Sequence, residues 1–474
     1  MNNKQNQAIV KRSESFSDWY TSVITASKLA LYTDIKGGVI FQPRATKIWD
    51  LIRKELDQQF TKIGIQNVLL PTFIRYSEFM KEKEHVDGFA PEVFLVTHKG
   101  KEKLDDPLVV RPTSEVVFCD YFKRIVTSYN DLPVKFNQWC NVFRAEKTTR
   151  PFLRTTEFFW QELHSIHNNE TEAKAMTQKM LDIYYDFATK FLLIPVIKGE
   201  KTVGERFAGA ENTFTIEALM QDGQALQCGT SHYLGQNFAK TYDIKFTNKD
   251  NKFEHVYQVS AGVSTRIIGA IIMSHSDDKG LVLPFAVAPE QIAILEVLAN
   301  KNPQVHEVAK QIAHDLKQYR VSIDTTDKSF GFKINEAEVS GVPFALILGP
   351  KDLETNTITL FRRDLVTKQT VNINDLKSLM PKLINEYNTN LFNKAKQNLD
   401  TRLIEVNNLE DFKKALSENK MIIAPWGGNI QDEKALKELT GATPRCIKSK
   451  IDKESKCFFT NKKATHLVYF ARAY

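Results

Sequence analysis

Apolar positions along the 474-residue chain change their period several times, and each change predicts an element. Phe16, Trp19, Tyr20, Val23 and Ile24 recur at helical spacing and predict a short amphipathic opening, which Gly37-Gly38 breaks before Val39–Gln42. Ile48, Leu51, Ile52, Leu56 and Phe60 form one stripe between Pro43 and Gly64, so a long helix is expected over Arg44–Ile63. Gln66–Leu70 then reads as a strand stopped by Pro71, and Leu108-Val-Val as a buried strand ending in the polar turn Arg111-Pro-Thr-Ser-Glu115. Between Phe136 and His164 the chain reads as two strands rich in aromatic and β-branched residues, joined by the basic loop Lys147–Pro151. Thr171–Phe191 returns to helical spacing. Thr213–Leu219 leads to the strand Leu226–Gly235, and a strand from Val259 is expected to end at Gly262. There Ser264 or Thr265 caps a helix whose Ile267, Ile268, Ile271 and Ile272 face the core.

From about Leu281 the pattern changes again. Pro284–Glu290 reads as a linker. Beyond it come strand Gln291–Val297, helix Val305–Tyr319, strand Val321–Thr325, helix Ile334–Ser340, strand Ala345–Gly349 and a hairpin around Arg362-Arg363. Strands alternating with helices predict an α/β domain with a mainly parallel core. At this length two to four domains are expected, with a change of pattern near residue 283.

Composition narrows the class. With 42% hydrophobic and 26% charged residues, and no apolar run near the roughly 20 residues that span a bilayer, a soluble cytoplasmic protein without a membrane partner is expected. The five cysteines are scattered, odd in number and without a Cys-x-x-Cys pair, which reads as reduced thiols. The net charge of +7 is carried by the C-terminal end, where residues 381–474 hold 17 Lys/Arg against 11 Asp/Glu; this is compatible with a polyanionic partner.

Strand parity concentrates the chemistry. On the second strand of the central hairpin, Arg154, Thr156, Phe158, Trp160, Glu162 and His164 share one face, and Arg144 and Glu146 share a face on the first. Such a face is either the wet side of an antiparallel sheet or a ligand surface, and two large aromatics among the charges favour a ligand. Thr113 and Glu115 are either a helix cap with a first-turn acid or a receptor for a small amine. Gln227, Thr230 and His232 offer hydrogen bonds among small residues. Arg266 falls in the first turn of a helix, where the macrodipole disfavours a cation. Either a bound anion such as phosphate resolves that conflict, or an ion pair with Glu115 or Glu146 does.

Taken together these stretches resemble the prolyl-tRNA synthetases, in their archaeal and eukaryote-like form. The resemblance covers nearly the whole chain and is carried by Arg111-Pro-Thr-Ser-Glu115, Arg144-Ala-Glu146, Phe152-Leu-Arg-Thr155, Glu157 through His164, Gly229 through Gly235 and Ser264-Thr-Arg266. It implies a class II catalytic domain of α+β type on an antiparallel sheet over residues 1–283, an α/β anticodon-binding domain over 284–400 and a small α+β C-terminal domain over 401–474. It implies activation of L-proline by ATP with Mg²⁺, transfer to tRNA(Pro), and a homodimer. The proline pocket would be Thr113, Glu115, Arg144, Trp160, Glu162, His164 and His232. ATP would meet Phe89, Glu92, Arg144, Glu146, Arg154, Thr155, Phe158, Gln227, Thr230, Ser264 and Arg266, with Arg144, Glu146 and Arg266 central to catalysis; Glu336, Lys351 and Asp352 are candidates for anticodon bases.

Three departures stand out. About a hundred residues separate Glu162 from Gly262, too few for the editing insertion of some bacterial relatives, so no editing in cis is expected. Where relatives often hold four zinc cysteines, this chain has Ala424-Pro-Trp-Gly-Gly-Asn and only Cys457, so no structural zinc is expected. Ala261 stands where relatives commonly have tryptophan, which predicts a wider pocket. The terminal Tyr474 matches the family, whose last carboxylate reaches towards the active site.

Overall fold

The computed structural model describes residues 8–81, 93–451 and 454–474. Its largest sheet has seven strands, in the order Gln66–Asn67, Val134–Phe143, Glu157–His167, Tyr257–Ser264, Ala225–Gly235, Asn212–Leu219 and Val196–Glu200. Every pairing is antiparallel except that of the first strand. One face is apolar. Leu163, Val259 and Val263 on that face share a core with Met176, Met180 and Tyr184 of helix Glu170–Asp186 and with the isoleucines of helix Arg266–His275. Buried hydroxyls anchor the contact: Ser231 Oγ donates to Thr177 O at 2.8 Å, and Tyr184 Oη to Gln161 Oε1 at 2.8 Å. With that face sealed by helices, the polar face is left for a ligand.

The long first helix forms over Pro43–Lys62, proline supplying its first position, with Ile48, Ile52, Leu56 and Phe60 buried as its spacing predicts. The strand expected over Gln66–Leu70 is only two residues long. Beyond it Val68 still donates to Asn137 O, but Leu70 N donates to the Gln138 side chain, which replaces the ladder before Pro71. The helix expected over Thr171–Phe191 runs as an α-helix to Asp186 and finishes in a π-helical turn, Phe187–Phe191.

The central hairpin differs from expectation at its tip. Its strands stop at Phe143 and resume at Glu157, so residues 144–156 form a loop much longer than Lys147–Pro151. That loop is folded on itself. Arg150 and Arg154 exchange backbone hydrogen bonds, and Phe152 takes a positive φ of 63° to bury its ring against Phe41. Thr156 donates from its hydroxyl to Lys36 O and from its N–H to Gly37 O. Arg154 and Thr156 therefore do not continue the face that starts at Phe158.

The second sheet has three parallel strands, Val321–Asp324, Ile292–Glu296 and Phe344–Leu348, followed by the antiparallel pair Thr357–Arg362 and Thr367–Asn372. Arg363 is fully buried and pairs with Asp277 at 2.6 Å, tying this unit to the first. Helix Leu376–Arg402 then leads to a four-stranded sheet ordered Leu403–Glu405, Met421–Trp426, His466–Ala471, Thr443–Lys450. Its core is aromatic: Phe458 and Phe470 lie within 4.5–5.9 Å of Trp426, of Phe412 and of each other, ring to ring. Cys457 is buried beside them, and one thiol among rings does not supply a zinc donor set. Among the described residues no helix is long and apolar enough to cross a membrane.

Candidate active site

The polar face of the large sheet is organised in rungs. Opposed residues of an antiparallel ladder point the same way, so register alone aligns Phe136, His164, Ser260, His232 and Thr213 across five strands. The next rung is Gln138, Glu162, Gly262, Thr230 and Thr215, and the third begins with Cys140, Trp160 and Ser264. A bulge between Ile216 and Glu217 leaves Cys228 unopposed and pairs Gln227 with Glu217. That extra residue restores parity, bringing Gln227 onto the face of Thr230 and His232. The chain from Ser264 turns directly into helix Arg266–His275, so the strand does not end at Gly262; the glycine lies inside the ladder.

These rungs floor a cavity of about 230 Å³. Of the residues singled out from the sequence, Thr113, Glu115, Arg144, Phe158, Trp160, Glu162, His164, Gln227, Thr230, His232, Ser264 and Arg266 line it. Glu146, Arg154 and Thr155 do not. They sit in the long loop, where Arg154 lies 3.6 Å from Glu146 and the Thr155 hydroxyl donates to Glu157 O. Phe89 and Glu92 lie outside the described residues. Of the anticodon candidates, Glu336 pairs with Lys28 and Lys328, while Asp352 accepts from Gly349 N and closes its own helix. Lys351 is exposed on that helix.

At one end of the cavity the chemistry is that of an amine and a carboxylate receptor. Glu115 is buried in the first turn of helix Glu115–Ile125 and accepts a hydrogen bond from the Thr113 hydroxyl. Ser114 is the N-cap residue and makes no side-chain cap bond; its hydroxyl instead donates to Glu162 Oε1. Gln138 donates to the same oxygen at 2.5 Å, and the Cys140 thiol lies 3.5 Å away. The other oxygen, Oε2, is buried without a hydrogen-bond partner; His164 Nε2 stands 3.5 Å off, a distance for charge and not for a hydrogen bond. Burial pushes the Glu162 carboxyl up, but His164, Ser114 and Gln138 outweigh it and hold the pKa below the ordinary carboxylate value. An ionised, half-satisfied carboxylate aimed at a cavity is a site for a positively charged donor.

His232 is the complementary group. Its Nδ1 lies 3.0 Å from Thr213 Oγ1, which already accepts from Phe207 N. The hydroxyl proton is thus free to go to Nδ1, which leaves the ring proton on Nε2. Burial first, then the charges of His164 and Lys201, push its pKa down to about 3, so the ring is neutral at pH 7. His167 is likewise held at about 4, by burial and then Lys135. An unfolded chain protonates both near 6.5, so it binds more protons than the folded chain between pH 6.5 and about 4. Stability is expected to fall with pH there, by about 1.4 kcal/mol per pH unit for each ring. Urea midpoints at pH 7 and pH 5 check this; His275, which desolvation also holds at about 4, adds a third such ring, so a His167→Gln chain should keep about two thirds of the drop.

At the other end stand two arginines. Arg144 donates from Nε to Pro112 O, with its guanidinium 5.2 Å from the Phe158 ring centre and 5.9 Å from that of Trp160. Arg266 is the first residue of its helix and donates from Nε to Leu153 O. Among the described residues it has no carboxylate at ion-pair distance, Glu115 and Glu146 included. Burial, then Arg144 and Arg154, make its charged form less favourable than that of an ordinary arginine. A desolvated cation at a helix N-terminus, facing two further cations, is a receptor for an anion of more than one charge.

Several residues of the site were not evident from local sequence. Ser114, Gln138 and Cys140 hold Glu162, and Thr213 orients His232. Glu205, Arg206 and Phe207 form a further wall, with the Phe207 ring 4.6 Å from that of His232. The Gly229 backbone lines the cavity, and a β-carbon there would meet Val263 and Tyr184 in the core. One expectation is corrected. Ala261 touches the cavity, but it pairs with Leu163 and Ser231, so its methyl leaves the sheet on the helix-packed side and widens nothing at Glu162.

Comparison with known proteins accords with this geometry. Residues 94–275 match the family "tRNA synthetase class II core domain (G, H, P, S and T)", residues 291–383 "Anticodon binding domain" and residues 409–474 "Prolyl-tRNA synthetase, C-terminal". The proline–tRNA ligase of Ureaplasma urealyticum serovar 10 is 52% identical over 471 residues, 99% of this chain and 100% of that one. That of Malacoplasma penetrans is 52% identical over 469 residues, 98% and 99% of the two chains. A crystal structure of prolyl-tRNA synthetase from Cryptosporidium parvum, complexed with halofuginone and AMPPNP, superposes with a TM-score of 0.93 at 36% identity, covering 98% of this chain and 99% of that one. The chain therefore belongs to the prolyl-tRNA synthetase family of class II aminoacyl-tRNA synthetases.

Proposed function

We propose that the chain activates L-proline with ATP and transfers it to tRNA(Pro), acting as a homodimer in the cytoplasm. The observation that carries the reading is the polarity of the cavity, with buried carboxylates at one end and Arg144 and Arg266 at the other. Glu162 Oε2 and Glu115 receive the proline ammonium, and Nε2–H of His232 faces its carboxylate. Trp160 supplies a flat wall for the pyrrolidine ring, and Phe158 one for adenine. Arg144, in contact with both rings, lies where substrate carboxylate and α-phosphate meet. Arg266 holds the γ-phosphate, with Gln227, Thr230 and Ser264 along the nucleotide.

A carboxylate oxygen of proline attacks the α-phosphorus and pyrophosphate leaves; the terminal ribose hydroxyl of tRNA then attacks the adenylate carbonyl and AMP leaves. No side chain forms a bond to substrate. The site's work is to position two anions and offset their charge. Mg²⁺ brought in with ATP would supply further charge neutralisation beside that of Arg144 and Arg266. The anticodon-binding match supports tRNA as the second substrate. A mostly apolar hollow of about 290 Å³ at Val39, Phe41, Trp49 and Phe159, edged by Thr46 and Glu157 and beside exposed Ile40, supports a second copy as partner.

ATP–pyrophosphate exchange with each of the twenty amino acids tests the reading. Exchange with proline alone is expected. Exchange with another amino acid would overturn the specificity, and exchange with none the enzyme.

A further inference from the structure

A buried charge cluster lies between the cavity and the C-terminal sheet. Glu217 Oε1 accepts from Lys201 Nζ at 2.9 Å and from Thr215 Oγ1 at 2.8 Å. Its Oε2 accepts from Arg445 Nε at 3.0 Å and Nη2 at 2.8 Å, across 228 residues of chain. Arg445 Nη1 donates in turn to Thr443 Oγ1, so strand Thr443–Lys450 holds the guanidinium in place. Lys201 and Glu217 are 1% exposed and Arg445 6%, and no solvent screens them. Gly199 allows the close approach: a β-carbon there would stand 2.6 Å from Ile447 O. A second contact is made by helix Ile430–Thr440, whose Glu433 carboxylate fills the space where a Gly204 side chain would be.

Lys201 and Gly204 belong to the segment that ends in the cavity wall. Lys201 N donates to Thr213 O at 2.7 Å, and Phe207 N to Thr213 Oγ1 at 3.0 Å, so the segment is bonded to the residue that orients His232. Glu205, Arg206 and Phe207 line the cavity. With the C-terminal domain removed, nothing among these contacts would hold the middle of the segment, which has only a single 3-10 turn, Val203–Glu205, as structure of its own.

We infer that the C-terminal domain is part of the amino-acid site: Arg445, acting through Glu217 and Lys201, and Glu433, acting through Gly204, are positioning residues that hold 201–207 where Phe207 orders His232. The inference rests on the proposed function for its substrate but not for its geometry. Loosening the segment disturbs the proline end of the cavity and leaves Arg144 and Arg266 in place. A displacement of about 1 Å at a substrate-positioning wall is worth one to two orders of magnitude.

The test uses full-length Glu433→Ala and Arg445→Lys chains. Glu433→Ala removes a peripheral contact and is expected to fold; Arg445→Lys keeps the charge that Glu217 needs but loses the fork. Proline and ATP are varied separately in pyrophosphate exchange, and amide hydrogen exchange is followed over 201–207. In both variants KM for proline should rise about tenfold while KM for ATP stays within about twofold, and the 201–207 amides should exchange faster than in wild type. Equal shifts in both KM values, or a lowered melting temperature with unchanged KM for proline, would reduce the residues to a structural role and overturn the inference. Should wild type itself fail to exchange with proline, the proposed function falls, and the amides still decide: unchanged protection of 201–207 in the Glu433→Ala chain overturns the clamp.

Discussion

Arg266→Ala is expected to lower proline-dependent pyrophosphate exchange by about 10³-fold while leaving the melting temperature unchanged or raised, a combination that separates function from fold. The guanidinium is half-buried at the positive end of its helix, and Arg144 and Arg154 both oppose its charge. In the free chain it is an electrostatic liability, offset in part by a hydrogen bond to Leu153 O and by the charge of Glu217. Binding a polyphosphate turns each of those costs into attraction, because the helix N-terminus and neighbouring arginines favour the same anion. Exchange within about tenfold of wild type would mean that Arg144 suffices for the phosphates. A clear loss of thermal stability would mean that Arg266 mainly holds the 144–156 loop.

The second large effect is expected from Glu162→Gln. The replacement keeps the shape, and Oε1 still accepts from Ser114 and Gln138. What changes is the oxygen without a partner: an N–H₂ donor would face the proline ammonium in place of Oε2. Losing a charge-assisted bond and gaining a donor–donor contact should raise KM for proline by about 100-fold, with KM for ATP little affected. A rise below about threefold would assign the ammonium to Glu115 alone.

The alternation of Phe158, Trp160, Glu162 and His164 made one face of the site legible, because side-chain direction on a strand needs no knowledge of partners. Arg266 was legible for a different reason, as a local rule broken at a helix start. The supports were not. Gln138 meets Glu162 through cross-strand register, Ser114 reaches it from a separate helix, and Arg445 reaches Glu217 from another domain. Such contacts are set by tertiary distance, and no window of neighbouring residues contains both partners. Glu146, Arg154 and Thr156 were drawn onto the sheet because period two was carried through a loop whose hydrogen bonds close on themselves. Ala261 was judged from the tryptophan of relatives without its strand parity, and one residue of parity is the whole thickness of the sheet.

The unopposed Cys228 makes that sensitivity a constraint on how the gene for this chain can change. Upstream of the bulge the strand is read in one phase and downstream in the other, so the two halves of the active-site face are out of frame in sequence and in frame in space. A point substitution at Cys228 alters one buried thiol. A one-residue deletion there would rotate either Gln227 or the Thr230–His232 pair into the hydrophobic layer. The length of this stretch should therefore tolerate less variation than its composition.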